Sequence, residues 1–257
     1  MRIKEVKCKT ALSKSNLPGL DYSLNPYRGC QHACAYCYVP NVLRIKRSEW
    51  GAFVDVKTNV PNVLANELRK KKPGVVGIST VTDPYQPVEK KYKLTRYCLE
   101  QLLRFDFPIC IQTKSDLVTR DIDLISRISD AEVMFSIATL NDSERKSLEP
   151  FASSIQDRLN AMKVLKDSGI ETKIFFGPVY PTIKPDDLHE IINTFIEKGA
   201  KEIMVDKFNL KPGILNILEK SFPKHMELIQ DPIYFRQILS NTKKICKDYN
   251  ISAVSAF

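Results

Sequence analysis

The chain has 257 residues, of which 43% are hydrophobic. This is enough to bury one sizeable core, so we expect a single domain over 1–257, with a core at about 21–206 and a C-terminal helical extension at about 207–257. No apolar run approaches the roughly 20 residues that a membrane-spanning helix needs, and the N-terminus lacks the apolar segment of a signal peptide. We therefore expect a soluble, cytoplasmic protein with no membrane segment.

Basic residues outnumber acidic residues by 39 to 30, which gives a formal net charge of +9. Such an excess favours a polyanionic partner and makes nucleic acid a candidate. It is equally compatible with an ordinary lysine-rich surface, since much of the excess lies in two lysine clusters, at 70–72 and 90–93. The charge alone does not decide between these interpretations.

Short β-branched or aromatic runs alternate with longer stretches of helical period, which is the pattern of repeated βα units. The predicted strands lie at 22–24, 75–80, 108–112, 133–137, 172–176 and 202–205. The predicted helices begin at Pro61 and continue at 94–104, 121–128, 155–166, 186–198 and 231–249, with Gly169 and Gly199 as C-cap glycines. The predicted fold class is therefore α/β, with either an open doubly wound sheet or an incomplete barrel.

In both folds the side chains that follow the strands meet at the carboxyl edge of the sheet, where chemistry collects. The residues that this rule brings to one mouth are Ser79, Thr80, Lys114, Ser136, Pro178 and Asp206.

The seven cysteines are an odd number in a chain without a secretion signal, which argues against a disulfide framework. Three of them, Cys30, Cys34 and Cys37, lie within eight residues in the segment CQHACAYC. Thiolates at this spacing converge on one inorganic cluster if the backbone wraps around it, and three ligands leave one of four irons open. The alternatives are a zinc site that adds His32, or cysteines that are only buried. A structural zinc site usually draws on a second pair of ligands, for which the sequence shows no matching spacing.

The spacing Cys-x3-Cys-x2-Cys, with the aromatic Tyr36 before the last cysteine, resembles the signature of the radical S-adenosylmethionine (SAM) superfamily. The resemblance implies a 4Fe-4S cluster on the three cysteines, with SAM on the open iron. It further implies that an electron from a flavodoxin- or ferredoxin-type donor cleaves SAM to a 5′-deoxyadenosyl radical, which removes a hydrogen atom from the substrate. The chain would then be an enzyme.

Further segments are similar to the spore photoproduct lyase-like group, also described as DNA repair photolyase-like: DYSLNPYRGC at 21–30, TDPYQPVE at 82–89, and LEP at 148–150 followed by Arg158 and Leu159. The fold that this resemblance implies is a partial TIM-like barrel of six βα units. It also implies that Lys114 holds the SAM carboxylate and that Ser136 binds polar groups of SAM. A solvated lysine and a hydroxyl satisfied by the backbone are the alternatives. The other implied cofactor contacts are Tyr36, Tyr38, Ser79 and Thr80.

In spore photoproduct lyase, a cysteine near the end of the second strand returns a hydrogen atom to the product of thymine-dimer repair. Aligning Thr82 and Asp83 with that protein puts Thr80 at the position of the cysteine. A hydroxyl is a far poorer hydrogen-atom donor than a thiol, so dimer repair is not the expected reaction. The substrate stays open between nucleic acid and another molecule.

Residues 83–89 form a proline-punctuated loop after a predicted strand, where substrate contacts belong. Asp83, Tyr85 and Glu89 are candidates for such contacts, and Tyr85 suits stacking on a base. Turn formation is the alternative, because Asp-Pro and Gln-Pro favour turns by themselves.

An alternative function from a different class is a non-catalytic iron-sulfur or zinc protein that binds nucleic acid through its basic surface. Cys98, Cys110 and Cys246 fit core positions under either function.

Overall fold

The computed structural model describes residues 1–256. The strands of this part of the chain are β1 (Arg2–Val6), β2 (Leu12–Lys14), β3 (Tyr22–Leu24), β4 (Tyr27–Arg28), β5 (Phe53–Lys57), β6 (Val76–Ile78), β7 (Ile109–Thr113), β8 (Ala131–Ser136), β9 (Glu171–Phe176), β10 (Ala200–Val205) and β11 (Ser252–Ser255).

The helices over the same residues are α1 (Val39–Val42), α2 (Val60–Leu68), α3 (Glu89–Tyr92), α4 (Leu94–Arg104), α5 (Ile122–Ile125), α6 (Asp142–Leu148), α7 (Ile155–Asp167), α8 (Leu188–Lys198), α9 (Ile214–Ser221), α10 (Met226–Gln230) and α11 (Pro232–Asp248). Short 3-10 turns lie at Arg47–Glu49, Asp116–Asp121 and Pro185–Asp187. No helix within residues 1–256 is both long enough and apolar enough to cross a membrane.

The larger sheet has the order β11-β10-β9-β8-β7-β6-β3-β2, and β2 is the one antiparallel member among the described strands. Helices α2, α4, α7 and α8 return the chain between consecutive strands, which keeps those strands parallel. All six predicted strands are present. The α/β fold class is confirmed, and the sheet is open, because β2 and β11 do not pair with each other in the described part of the chain.

The inner strands of the larger sheet bury one face completely, whereas most residues on the other face of β9 are buried only in part. All three residues of β6 are buried, and alternate residues of β9 and β10, such as Ile174, Phe176 and Ile203, have no exposed surface. Apolar residues of the helices complete one continuous core. The carboxyl ends of these strands are therefore held in fixed positions relative to one another.

A second sheet, in the order β1-β5-β4, was not predicted. Strand β1 pairs with β5 in parallel, with Arg2 opposite Phe53, and β4 pairs with β5 in antiparallel fashion, with Arg28 opposite Asp55. The partners are far apart in the sequence and β4 has only two residues, so local pattern gives little signal for this sheet.

Two regions differ from the predicted elements. The helix predicted at 121–128 is shorter, because a 3-10 turn occupies Asp116–Asp121 and leaves only Ile122–Ile125 as α5. The C-terminal extension contains three helices and also β11, which pairs with β10 at the edge of the larger sheet. The division of the chain into one domain stays a prediction.

Candidate active site at the cysteine loop

The cysteine loop, residues 29–38, leads from β4 into α1 and carries the three clustered cysteines. Cys30 and Cys34 are buried, and Cys37 is partly buried. Gly29 has a φ of +89°, and a Cβ there would lie 2.4 Å from the carbonyl oxygen of Phe53. Only glycine fits such a close approach in this conformation, so the loop turns sharply just before its first cysteine.

Segment 82–88, after β6, holds the first half of the loop through what we call the polar attachment. The hydroxyl of Thr82 donates to the carbonyl of Gly29 at 2.6 Å, and Gln86 donates to the same carbonyl at 3.3 Å. The side-chain oxygen of Gln86 accepts from the amide of Gln31 at 2.9 Å. In return, the side-chain oxygen of Gln31 accepts from the amide of Val88. These reciprocal bonds satisfy buried backbone groups that would otherwise be costly.

Asp83 extends the polar attachment toward β7. Its carboxylate accepts from the amide of Tyr85 at 2.9 Å, the hydroxyl of Thr113 at 2.8 Å and the amide of Lys114 at 2.8 Å. His32 Nδ1 lies 3.3 Å from the same carboxylate. Burial raises the pKa of Asp83, but the His32 ring and the backbone amides of Lys114 and Tyr85 outweigh it and bring the pKa to about 2. Asp83 is therefore an ionised anchor between two strand ends and the cysteine loop.

The second half of the loop is held by what we call the ionic attachment, which consists of Tyr36, Glu149 and Arg158. The hydroxyl of Tyr36 donates to Glu149, and Arg158 Nη2 lies 2.5 Å from the other oxygen of that carboxylate. Neither the Glu149 nor the Arg158 side chain has exposed surface. Arg158 also donates to the carbonyls of Ser136 at 2.8 Å and Ser153 at 2.9 Å. The guanidinium thus ties the loop to the end of β8 and to the start of α7.

Lys114 lies beside this ion pair, with Nζ 5.9 Å from the centre of the Tyr36 ring. Burial lowers the pKa of its ammonium, but Glu149 and Cys34 nearby raise it, and the net shift is upward. Burial raises the pKa of Glu149, yet Arg158 and Lys114 bring it below its ordinary value. The result is a protonated lysine next to Cys34, where it can pair with an anionic group of a ligand.

Ser79, at the end of β6, has a left-handed backbone with a φ of +67°. Its hydroxyl is buried and has no hydrogen-bond partner within residues 1–256. By contrast, Thr80 accepts from Asn25 at 3.3 Å, and Ser136 accepts from Gln112 at 3.2 Å. A strained residue with an unsatisfied buried hydroxyl is typical of a functional position, so Ser79 is the hydroxyl best suited to meet a ligand.

The far side of the mouth is formed by residues that follow β9 and β10. Burial raises the pKa of the Tyr38 hydroxyl, and the nearby Cys37 and Asp206 raise it further. The ring of Tyr36 lies 5.9 Å from that of Phe208 and 6.3 Å from that of Tyr180. Pro178 lies between β9 and Tyr180 and is buried. Tyr180 and Phe208 thus form an aromatic wall next to the cysteine loop.

The three residues predicted to contact substrate have partners inside the protein. Glu89 has no exposed surface, and it accepts from the hydroxyl of Tyr27, the amide of Thr95 and, at 2.6 Å, Arg120. Tyr85 is also buried, with the Arg120 guanidinium 5.9 Å from its ring centre. Asp83 accepts from the amides of Tyr85 and Lys114 and from the hydroxyl of Thr113. The hydroxyl of Tyr85 is buried and has no hydrogen-bond partner within residues 1–256. Substrate contact by the three residues stays a prediction.

The thiols fit an iron-sulfur cluster by number and placement. Burial raises the pKa of Cys30, Cys34 and Cys37, and the charges of the other two thiols raise that of Cys34 further, so the three groups lie near one another. No set of three or more His, Cys, Asp or Glu side chains in the described chain is arranged to hold a single metal ion. A 4Fe-4S cluster makes a different demand, because each thiolate binds a separate iron. The unpaired hydroxyl of Ser79 and the ammonium of Lys114 beside these thiols fit a polar ligand such as SAM.

Sequence reasoning missed the supporting residues of this site. Gln86 lay within a segment interpreted as a substrate loop, and Glu149 and Arg158 entered only as marks of family resemblance. A Glu and an Arg on either side of a helix start carry no local signature of pairing. In the folded chain both side chains are fully buried and pair with each other.

A family model, described as the radical SAM superfamily, matches residues 24–195, which include the whole cysteine loop. The chain belongs to the radical SAM superfamily. Among radical SAM relatives, a phage enzyme named radical SAM Nalpha-GlyT isomerase, from Pseudomonas phage M6, is 28% identical over 89% of this chain and 48% of its own. An uncharacterised protein of Methanocaldococcus jannaschii is 32% identical over 98% of this chain and 96% of its own.

Among solved structures, spore photoproduct lyase complexed with dinucleoside spore photoproduct matches with a TM-score of 0.72 at 14% identity, over 99% of this chain and 82% of the other. This likeness shows that the two chains share a fold. Spore photoproduct lyase of Clostridium acetobutylicum is 25% identical over 63% of this chain and 48% of its own. The resemblance to the spore photoproduct lyase-like group is confirmed by the family match together with this relative, and the chain is a radical SAM enzyme. The alternative of a non-catalytic metal protein was wrong, since the family match identifies an enzyme. Family membership implies SAM, a 4Fe-4S cluster and an electron donor.

Proposed function

We propose that Cys30, Cys34 and Cys37 hold a 4Fe-4S cluster, that SAM binds at the iron without a cysteine, and that the enzyme acts on a base within nucleic acid. When bound, the cluster and SAM supply an electron and a 5′-deoxyadenosyl radical that removes a hydrogen atom from the substrate. The observation that carries the proposal is the cysteine loop of a radical SAM enzyme, with three neighbouring thiols held between the polar and the ionic attachment.

The residues around the loop divide the binding of SAM among them. Lys114, protonated beside Glu149, pairs with the carboxylate of the methionine part. The unpaired hydroxyl oxygen of Ser79 accepts a hydrogen bond from the amino group of the methionine part. Ser136 and Thr80 add hydroxyls at the ends of β8 and β6, and Tyr36 and Tyr38 stand on either side of Cys37 in the chain.

Exclusion of water supports radical chemistry at this position. Cys30, Cys34 and Tyr36 are buried, and Tyr180 and Phe208 close the aromatic wall with stacked rings 6.1 Å apart. A radical formed beside this wall meets few competing hydrogen donors from solvent.

Nucleic acid as the substrate is supported by two observations. The chain carries a net charge of +9, which suits a polyanion. A solved neighbour with the same fold has bound dinucleoside spore photoproduct. Repair of that lesion by the same route is disfavoured, because Thr80 stands where a thiol donor is expected and its hydroxyl is engaged with Asn25. We therefore expect a different reaction on a base.

The proposal predicts that the anaerobically reconstituted protein is brown and, with dithionite and SAM, releases 5′-deoxyadenosine. Each of the variants Cys30→Ala, Cys34→Ala and Cys37→Ala should lose cluster iron and nucleoside release together. The matched control is Cys8→Ala, which removes a thiol as partly buried as Cys37 and should leave both readouts intact. Undiminished iron and nucleoside release in a variant of the trio would contradict the proposal.

The substrate is tested separately by binding of DNA and RNA oligonucleotides. Binding should weaken steeply with added salt, because neutralised phosphates release counterions. If the protein binds neither oligonucleotide at low salt, the proposal that it acts on nucleic acid is wrong, and a small molecule or a peptide becomes the expected substrate. Conversion of dinucleoside spore photoproduct to thymines would contradict the argument from Thr80.

A further inference from the structure

The outer face of the smaller sheet is basic, and the strand register shows why. Residues opposite each other in paired strands share a face, so Arg2 lies beside Phe53, and Asp55 lies between Lys4 and Arg28. On the other face Val54 and Val56 are in the core, whereas Ile3 on the edge strand β1 is exposed. The outer face therefore presents Arg2, Lys4 and Arg28 to solvent, and among its described residues Asp55 is the acid between them.

Phe53 is buried beneath the basic side chains of this face. The guanidinium carbons of Arg2 and Arg28 lie 5.5 and 5.4 Å from the centre of its ring, and the ring itself is almost fully covered. Arg28 also pairs with Asp55 at 3.1 Å while 47% of its side chain stays exposed. The arginines are thus held in place over the ring, which lowers the entropy that a partner must remove on binding.

This face adjoins the cysteine loop directly. Strand β4 ends at Arg28, and the chain continues through Gly29 to Cys30. The Phe53 ring and carbonyl pack against Gly29, with its edge 3.2 Å from where a Cβ of that glycine would be. A partner seated on the face at Arg28 therefore lies two residues along the chain from Cys30.

We propose that this face, formed by Arg2, Lys4, Phe53 and Arg28, docks an acidic electron-transfer protein of the flavodoxin or ferredoxin class. The inference rests on the proposed function, since the electron has a destination only if the three cysteines hold a cluster. In the step itself the reduced donor loses one electron and the oxidised cluster gains it, and no bond or proton is transferred. Charge complementarity selects the occupant: a protein with an acidic rim around its redox centre matches three basic side chains, two of which are held over the buried Phe53 ring.

Charge reversal on β1 tests the docking face. The double variant Arg2→Glu/Lys4→Glu should slow reduction by photoreduced bacterial flavodoxin by about tenfold at low salt, because electrostatic steering of this kind raises association rates by 10–10³. Added salt should slow the reduction of the wild type by flavodoxin and reduce the difference in rate between the wild type and the double variant. The rate is followed by loss of cluster absorbance under anaerobic conditions.

The matched control is Lys243→Glu/Lys244→Glu, which makes the same charge change on exposed residues of α11, beside the opposite edge of the larger sheet. It should reduce at the wild-type rate. Nucleoside release driven by dithionite should be equal in all three proteins, which shows an intact site. Loss of that release in the wild type would refute the proposed function, whereas equal flavodoxin rates in the three proteins would overturn only the docking face. A drop in oligonucleotide affinity of the β1 variant with an unchanged flavodoxin rate would assign the face to nucleic acid and also overturn it.

Discussion

The two attachments of the cysteine loop solve the same problem by different physics. The polar attachment spreads its hold over several hydrogen bonds, such as those of Thr82 and Gln86 with the loop backbone, and Asp83 is its ionised member. The ionic attachment concentrates its hold in one buried ion pair, Glu149 with Arg158, and a single tyrosine hydroxyl. A distributed set tolerates the loss of one member, whereas a buried pair leaves an uncompensated charge when one partner is removed.

The largest effect is expected from Arg158→Met, which removes the ion-pair partner of Glu149 and leaves its buried carboxylate with only Tyr36 and Lys114 nearby. The free energy of unfolding in urea should fall by about 3–5 kcal/mol, as when one partner of a buried ion pair is removed. The double variant Arg158→Met/Glu149→Leu should recover part of this loss, because it removes the stranded charge. A loss below about 1 kcal/mol, the size of an exposed ion pair, would contradict the ionic attachment.

A smaller effect, with a distinctive pH dependence, is expected from Asp83→Asn. The folded pKa of Asp83 is about 2, below its ordinary value of 3.8, so its contribution is present above pH 3.8 and is lost as the pH falls toward 2. This shift corresponds to about 2 kcal/mol of stability at neutral pH. The variant should be less stable at pH 7 and lose less stability on acidification over that range.

The control for this variant is Asp130→Asn, at an exposed aspartate between α5 and β8. Asp130→Asn should have almost the same free energy of unfolding as the wild type at pH 7, and almost the same loss of stability at acidic pH. If the stability of the wild type and that of Asp83→Asn fall equally as the pH is lowered from 3.8 toward 2, the carboxylate of Asp83 does not anchor the cysteine loop.

The smallest effect is expected from Thr82→Val, which keeps the shape of the side chain and removes one hydroxyl of the polar attachment. Gly29 keeps its bond from Gln86, so the free energy of unfolding should fall by only about 1 kcal/mol. Amide hydrogen exchange in the cysteine loop should quicken more than elsewhere. A loss as large as that of Arg158→Met would remove the distinction between the two attachments.

The sequence was a good guide to the larger sheet, because repeated βα units leave periodic signals in β-branched runs and helix caps. The run at 172–176 became β9, and Gly199 ends α8 with a φ of +115°. The smaller sheet was missed because Arg2 and Phe53 are far apart in the chain, and because β1 carries charged residues at Arg2, Lys4 and Glu5. Sequence spacing does not encode such a pairing.

The candidate site shows the same division between local and distant information. Three cysteines within eight residues were found at once, because metal-ligand spacing is a local feature. The 82–89 segment was noticed, but its direction was not: its polar side chains point into the protein and hold the loop. The partner of Tyr36 is Glu149, whose contact depends on the fold and not on any nearby motif.

The most direct test of the account is the electron paramagnetic resonance spectrum of the dithionite-reduced, reconstituted protein with and without SAM. If three cysteines hold the cluster and SAM takes the remaining iron, SAM should change the spectrum of the wild type. In Lys114→Ala the same change should require more SAM, because the carboxylate has lost its cation. A cluster spectrum that saturating SAM leaves unaltered in the wild type would contradict the central claim.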